Sequence, residues 1–309
     1  SIVDKFFLEL MNNDKTIYNY LQVVLGYSLT GWTNMRSLFI LWGKGSNGKS
    51  TLCNLLKNIM KKYYIIADKR IFMDTDNKNN SHTSHLIPLV TARIAVLSET
   101  QENERLNENL IKSLTGEDAM TARELYGKQF TFTPKAKYIL LTNNKPTFKL
   151  EQSMLDRIKY IPFNARFVDF PKDGEFKRDP NIIETLNKNL DIVFTWLCIG
   201  AKKYFDNGMK IETPQILKDH LTDYINDIDG ATKFIEGKIR MNLLNKTKRA
   251  VIYESYKNFC NNSNITNGTN YIILSCNEFY CKLNEKGYNE YISSGNKIYK
   301  IDILNDYLE

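Results

Sequence analysis

The sequence lacks the features of a membrane-spanning or secreted protein. No uninterrupted apolar run reaches the roughly 18 residues that a bilayer-spanning helix needs. No short apolar segment follows a basic start at the N-terminus, so nothing indicates a secretory signal. The sequence starts at Ser1 rather than at an initiator Met, which fits the C-terminal part of a longer chain. We therefore expect an intracellular protein with no membrane partner.

Cysteine and histidine are too few and too scattered for a fold held together by disulfide bonds or by zinc. The five cysteines, at positions 53, 198, 260, 276 and 281, include no C-x-x-C pair, and the whole sequence has three histidines. An odd number without metal-ligand spacing indicates reduced thiols rather than a disulfide framework or a zinc site.

Charge of one sign is also not abundant. The 42 basic residues exceed the 35 acidic ones by a formal charge of +7, which permits a polyanionic partner without identifying one. Hydrophobic residues make up 42% of the 309 positions, which is typical of a folded chain of about two domains.

Short apolar blocks alternate with helical patterns through the first two thirds of the chain. Residues 37–42, 94–97 and 138–142 are apolar runs of the kind that form buried parallel strands. Residues 52–60 carry apolar positions at helical spacing. This alternation predicts an α/β fold with a doubly wound sheet.

The predicted domains are a helical N-terminal segment (1–30), an α/β domain (31–228) and a C-terminal domain (229–309). The C-terminal domain is predicted to have helices at 231–240, 251–261 and 276–286, followed by a hairpin. Ser275 with Glu278 forms a capping box for the last helix, and Gly287 suits its end. Three helices and a two-stranded wing predict a winged-helix domain.

A glycine-rich loop follows the first predicted strand. Residues 43–50 match G-x-x-x-x-G-K-[ST] in full and lead into a helix, the context that a P-loop requires. Backbone N–H groups would surround the phosphates of ATP, Lys49 would neutralise them, and Ser50 would bind Mg²⁺. A glycine-rich turn that only resembles a P-loop is the alternative. The predicted nucleotide-binding residues are Gly43, Lys44, Gly45, Ser46, Asn47, Gly48, Lys49, Ser50 and Thr51.

Two further strand ends carry polar side chains. Glu99 follows the strand at 94–97, where a carboxylate would orient Mg²⁺ and the attacking water, although a surface acid is the alternative. Glu102, slightly further on, is more simply a solvated residue. Asn143 follows the strand at 138–142 and would contact the γ-phosphate or the water. Its sequence context, Asn-Asn-Lys-Pro, also suits a plain turn.

The order of these motifs resembles the superfamily 3 helicase module of poxvirus-type and phage or plasmid primase-helicases. The resemblance extends over nearly the whole chain. The segments that carry it lie at residues 26–31, 47–51, 98–100, 112–118, 121–127, 132–134, 142–143 and 156–163. It implies an AAA+-like ATPase domain with a collar-like helical segment before it and a winged-helix domain after it, and a large DNA virus as the source.

The resemblance also implies a hexameric ring that binds ATP between subunits and moves 3′ to 5′ on single-stranded DNA. Similar proteins often have two adjacent arginines before the Ile-Pro-Phe segment, the first regarded as the finger that reaches the neighbour's ATP. Here Asp156 stands at the first place, so Arg157 is the candidate finger. A local ion pair is the alternative role for Arg157.

In this family a hairpin before the sensor strand projects into the central channel. Residues 120–133 fit such a hairpin, which would bring Lys128, Arg123 and Lys135 to the DNA phosphates. A solvated hairpin without DNA contacts is the alternative.

The leading hypothesis is thus an ATP-dependent helicase of a replicative primase-helicase. It would act on single-stranded and forked DNA in the host cytoplasm, with a primase region upstream in the full-length chain. A DNA-packaging or other translocating ATPase would share the P-loop but move duplex DNA without separating the strands. A nucleotide-switched loader would bind DNA without unwinding it.

Overall fold

The chain divides into two compact units, residues Ser1–Leu221 and Thr222–Glu309. The computed structural model describes residues 1–74, 83–98, 104–124, 127–266, 269 and 271–304. Within these ranges no helix is both long and apolar enough to cross a bilayer.

The first unit alternates helices with strands. Its helices are α1 (Ile2–Leu10), α2 (Lys15–Tyr27), α3 (Lys49–Met60), α4 (Lys69–Phe72), α5 (Glu108–Thr115), α6 (Gln152–Leu155), α7 (Ile182–Asn187) and α8 (Leu190–Asp206), and α9 (Gln215–Ile228) contains the unit boundary. Its strands are β1 (Leu38–Trp42), β2 (Tyr64–Ile66), β3 (Ile94–Ser98), β4 (Met120–Arg123), β5 (Gln129–Phe132), β6 (Lys137–Thr142), β7 (Ile158–Pro162), β8 (Phe167–Val168) and β9 (Phe176–Lys177). Short 3₁₀ turns lie at Lys61–Tyr63 and Ser84–Val90.

Five of these strands form one parallel sheet in the order β2-β3-β6-β1-β7. The prediction of an α/β fold is confirmed. The strands at its centre are buried over almost their whole length, as uninterrupted apolar runs require. Because β6 pairs with both β1 and β3, the carboxyl ends of these three strands lie side by side at one edge. We call this the carboxyl edge and the opposite one the amino edge.

The N-terminal helices contribute to the core of the first unit. Phe7 of α1 stacks on Trp196 of α8 at a ring separation of 3.8 Å. Helices α2 and α8 touch through their backbones, because a Cβ atom added at Gly200 would lie 1.9 Å from the carbonyl oxygen of Gln22. One added at Gly26 would lie 2.1 Å from the backbone nitrogen of Ala201. Only glycine permits this approach.

Two small ribbons accompany the sheet. Strands β4 and β5 pair in antiparallel register with Arg123 opposite Gln129, which confirms the predicted hairpin. Residues 125 and 126, within the predicted hairpin, lie outside the described residues. Strands β8 and β9 form a second ribbon, which sequence patterns did not predict because each strand has only two residues.

The second unit packs around aromatic side chains. It contains α10 (Gly230–Lys238), α11 (Arg249–Thr266) and α12 (Cys276–Glu285), with strands β10 (Ile239–Met241), β11 (Thr247–Lys248), β12 (Glu290–Ser293), β13 (Asn296–Tyr299) and β14 (Ile301–Ile303). Tyr256 and Phe279 stack at 4.4 Å in its core. The predicted capping box of α12, Gly287 at its end (φ 90°) and the hairpin β12–β13 are all present. The assignment to the winged-helix class stays a prediction.

Candidate nucleotide-binding site

The glycine-rich loop joins β1 to α3 at the carboxyl edge. Gly45 and Gly48 have φ angles of 100° and 80°, in the left-handed region that glycine adopts without strain. Gly43 meets a different requirement, because a Cβ atom there would lie 2.4 Å from the carbonyl oxygen of Phe163. The buried side chain of Asn47 donates a hydrogen bond of 3.3 Å to the same oxygen. Asn47 therefore fixes the loop against the segment that follows β7.

The first turn of α3 is open to a ligand. Gly48 is the N-cap residue and has no side chain, so in the described structure no N-cap side chain occupies the N–H groups that begin this helix. A Cβ atom added at Gly45 would have no neighbour within 4 Å, so the loop leaves free space there. Unpaired N–H groups at a helix start, next to open space, suit phosphate oxygens. Ser50 and Thr51, on the same turn, line the cavity described below.

Lys49 points into the site rather than into solvent. The side chain is only 7% exposed, and its Nζ donates hydrogen bonds to the carbonyl oxygen of Gly43 and, at 3.0 Å, to Oδ1 of Asn143. Both acceptors are uncharged, and burial lowers the pKa of Lys49 to about 8. Among the described residues no carboxylate pairs with this ammonium group, and a phosphate group would supply a negative charge.

Asn143 is brought to Lys49 by the order of the strands. It follows β6, which lies between the loop strand β1 and β3. Its backbone is also held, because the indole Nε1 of Trp42 donates a hydrogen bond of 3.1 Å to its carbonyl oxygen. Sequence reasoning found Asn143 but not Trp42, whose role depends on the register that places Trp42 opposite Thr142.

The structure describes only some of the predicted magnesium ligands. Ser98, the last residue of β3, lines the same cavity as Lys49, which places the end of this strand beside the loop as predicted. Glu99 and Glu102 lie outside the described residues. Ser50 is an exposed hydroxyl on the first turn of α3 and so fits one Mg²⁺ ligand. Of the predicted Mg²⁺ ligands, Ser50 is the one that the structure describes.

These groups surround one cavity of about 650 Å³. Its lining includes the loop residues 45–51, the ends of β3 and β6, and the exposed face of α3. It also includes residues after β7 that no sequence pattern singled out, among them Phe167, Lys177 and Arg178. A cavity of this size accommodates a small organic ligand rather than a phosphate group alone.

Arg157 lies at the amino edge, away from the loop of its own chain. It comes directly before β7, and its carbonyl oxygen accepts a hydrogen bond of 2.9 Å from the N–H of Leu38, at the start of β1. The guanidinium group donates to Oγ1 of Thr115 at 3.0 Å and to the carbonyl oxygen of Ser153 at 2.6 Å. Both acceptors are neutral. The length of β1, about 13 Å at 3.3 Å per residue, separates Arg157 from the loop.

The three basic residues assigned to DNA are exposed on or near the β4–β5 hairpin. Lys128 lies directly before β5, at the end of the hairpin that carries the turn. Arg123 donates from Nε to the carbonyl oxygen of Gly127 at 3.1 Å, which braces the same end. Lys135 lies between the hairpin and β6, so it approaches the amino edge of the sheet. The structure thus places Arg123 and Lys128 together, with Lys135 several residues away.

The parallel sheet, the glycine-rich loop and the buried Lys49 are the features of an α/β protein with a P-loop-like fold. A family of unknown function, DUF5906, matches residues 41–157, which contain the loop, Asn143 and the hairpin.

Particular relatives are viral. A protein of Acanthamoeba polyphaga mimivirus named as a helicase is 28% identical over 82% of this chain and 27% of its own length. A protein of Frog virus 3 that is also named as a helicase is 25% identical over 67% of this chain and 22% of its own. A primase of Fowlpox virus is 25% identical over 54% of this chain and 21% of its own. The resemblance to viral primase-helicases is confirmed, and this chain spans about a quarter of the length of these relatives.

A solved structure shares the fold. The apo C-terminal region of NrS-1 matches 98% of this chain and 75% of its own with a TM-score of 0.54. At 14% sequence identity, this likeness concerns the fold alone.

Proposed function

We propose that this chain is the ATP-dependent DNA helicase motor of a viral replicative primase-helicase. One observation carries the proposal: Lys49, at the start of α3, and Asn143, at the end of β6, meet inside a cavity that the glycine-rich loop lines. The relatives named as helicases and primases point to DNA as the partner. Because those relatives are much longer, the proposal includes a primase region upstream in the full-length protein.

The proposed chemistry is hydrolysis of the γ-phosphate of ATP. The N–H groups of residues 45–50 bind the phosphates, and Lys49 neutralises charge that develops on them in the transition state. Mg²⁺, held by Ser50 and Glu99, would add charge neutralisation and order the phosphate oxygens. Asn143 accepts a hydrogen bond from Lys49, and a γ-phosphate oxygen would compete for this donor. If Lys49 exchanged Asn143 for a γ-phosphate oxygen, Asn143 would be released. The end of β6 would then respond to the nucleotide.

The proposed motor is a hexameric ring. Arg157 lies at the amino edge of its own sheet, too far from its own loop to contact the same ATP. A head-to-tail ring would let it approach the loop of a neighbouring subunit, as an arginine finger does. The hairpin that carries Lys128 and Arg123 would then contact single-stranded DNA phosphates and move 3′ to 5′ along the strand. Such a protein would act where viral DNA replicates, in the host cytoplasm.

The test measures ATP hydrolysis and unwinding of forked DNA by the wild type and by Lys49→Ala. We expect the variant to lose at least about 100-fold in kcat/KM, because phosphate charge then lacks its buried cation, and to lose unwinding altogether. Lys62→Ala is the matched control, since Lys62 is exposed just after α3 and does not line the cavity. Intact ATP hydrolysis with neither DNA stimulation nor unwinding would overturn the helicase proposal.

A further inference from the structure

The cavity around Lys49 has two unlike ends. On one side of the loop lie the tips of β3 and β6, with Ser98 and Asn143. These polar groups face the end of the ligand where hydrolysis occurs in the proposed function. A nucleoside triphosphate is elongated, with its base and ribose at the end opposite the γ-phosphate. The nucleoside must therefore leave the loop on the side away from β3.

The β8–β9 ribbon occupies that other side. It follows β7, the strand at the far edge of the sheet from β2. The backbone N–H of Phe167 donates a hydrogen bond of 2.8 Å to the carbonyl oxygen of Ser46, inside the glycine-rich loop. A Cβ atom at Gly48 would lie 3.6 Å from Cε2 of Phe167, so this ring lies beside the start of α3. The ribbon is thus attached to the loop and shares its cavity.

The lining on the ribbon side suits an aromatic base with a polar rim. Phe167, Pro180 and Ile183 supply apolar surface to the cavity there, whereas Lys177 and Arg178 supply charge. Phe167 is only partly buried, and its ring lies 5.5 Å from that of Phe176, which does not line the cavity. An aromatic side chain of this kind binds a nucleobase by contact between the two ring systems.

We propose that the β8–β9 ribbon and the segment after it form the nucleoside subsite, in which Phe167 contacts the base. This inference rests on the proposed nucleotide-binding function and goes beyond it, because it adds a binding element that the P-loop motif does not contain. It also gives a use to the part of the cavity that phosphates alone would leave empty.

The experiment compares binding of ADP and of pyrophosphate by calorimetry, with Phe167→Leu as the main variant. The two ligands have the same number of phosphates, so the ratio of their affinities isolates the nucleoside. We expect the wild type to prefer ADP, and Phe167→Leu to reduce that preference about tenfold with no change for pyrophosphate. Leucine keeps an apolar side chain against the loop, and an unchanged pyrophosphate affinity reports that the loop is intact. Phe167→Tyr restores an aromatic ring and should restore the preference.

Phe170→Ala is the matched control, because Phe170 lies on the same ribbon connection but is 89% exposed and does not line the cavity. It should bind both ligands as the wild type does. Equal losses for ADP and pyrophosphate in Phe167→Leu would overturn the subsite, because Phe167 would then act only through the shape of the loop. Equal affinities of the wild type for the two ligands would also overturn it and leave phosphate binding standing. If neither ligand bound, the proposed function would fail with it.

Discussion

Two buried lysines lie at opposite edges of the same parallel sheet. Lys49 follows the loop at the carboxyl edge and is 7% exposed; Lys137 begins β6 at the amino edge and is 2% exposed. Burial lowers the pKa of Lys49 to about 8 and, together with the charge of Arg93, that of Lys137 to about 7. Burial and a lowered pKa are therefore common to both residues and do not by themselves mark a binding site.

The surroundings of the two amino groups differ. Lys137 donates to the carbonyl oxygen of Thr30 and lies 4.7 Å above the ring of Tyr27, so its charge is enclosed by the protein. Lys49 also donates to a carbonyl oxygen, but it lines the cavity beside the loop. An enclosed lysine serves the fold, whereas one that faces a cavity can bind a ligand. Three predictions test this distinction, beginning with the largest expected effect.

Alanine at each lysine should give opposite results. Lys49→Ala should abolish ADP binding without lowering the melting temperature, because it removes a buried charge next to open space. Lys137→Ala should leave ADP affinity unchanged and lower stability by about 2–4 kcal/mol, since it creates a cavity and leaves the oxygen of Thr30 without its donor. Thermal unfolding and calorimetry measure the two effects. Loss of ADP binding in Lys137→Ala at a temperature where it is folded would contradict the comparison.

A carboxylate beside Lys49 should mimic the negative charge of a phosphate group. Asn143→Asp places a negative charge near the ammonium group, now 3.0 Å from the amide oxygen of Asn143. We expect a raised pKa for Lys49 and at least a tenfold loss of ADP affinity, because the new charge repels phosphate. Asn144→Asp adds the same charge one residue further along and should have a much smaller effect. Equal losses in both variants would mean that net charge, not contact with Lys49, is responsible.

Binding should weaken as the pH rises through the pKa of Lys49. A bound phosphate favours the charged amine and raises its pKa above the value of about 8 in the free protein, so binding takes up a proton above that pH. ADP affinity should fall about fivefold between pH 8 and 9, as the charged fraction falls. Lys49→Arg should show a flat profile in this range because a guanidinium group stays charged. A fall of the same size in that variant would assign the titration to another group.

The main elements of the site could be predicted from local sequence. The full P-loop motif identified Lys49, and the apolar runs identified β1, β3 and β6, because buried parallel strands leave a strong local signal. Asn143 was predicted as a site residue because it directly follows such a run. The parallel register places Asn143 beside Lys49, a contact that the sequence did not predict.

Other parts depend on contacts between distant segments and have no local signal. The two-residue strands of the β8–β9 ribbon are too short for a periodicity, so Phe167 was not a predicted site residue. Lys137 is a charged residue at the start of an apolar strand, and only the position of Tyr27 shows why it is buried. The roles of Arg157 and Lys128 depend on a neighbouring subunit and on DNA, and they stay predictions.

The backbone contact between α2 and α8 can form only late in synthesis. The side chain of Gln22 in α2 donates to the carbonyl oxygen of Trp196 in α8, across 174 positions of sequence. At 5–20 residues per second, α2 leaves the ribosome roughly 10–35 s before its partner helix is made. During that interval the surface around Gly26 has no helix against which to pack. It must stay exposed or be covered by another part of the nascent chain. The packing of α2 against α8 is therefore a late step in the folding of the first unit.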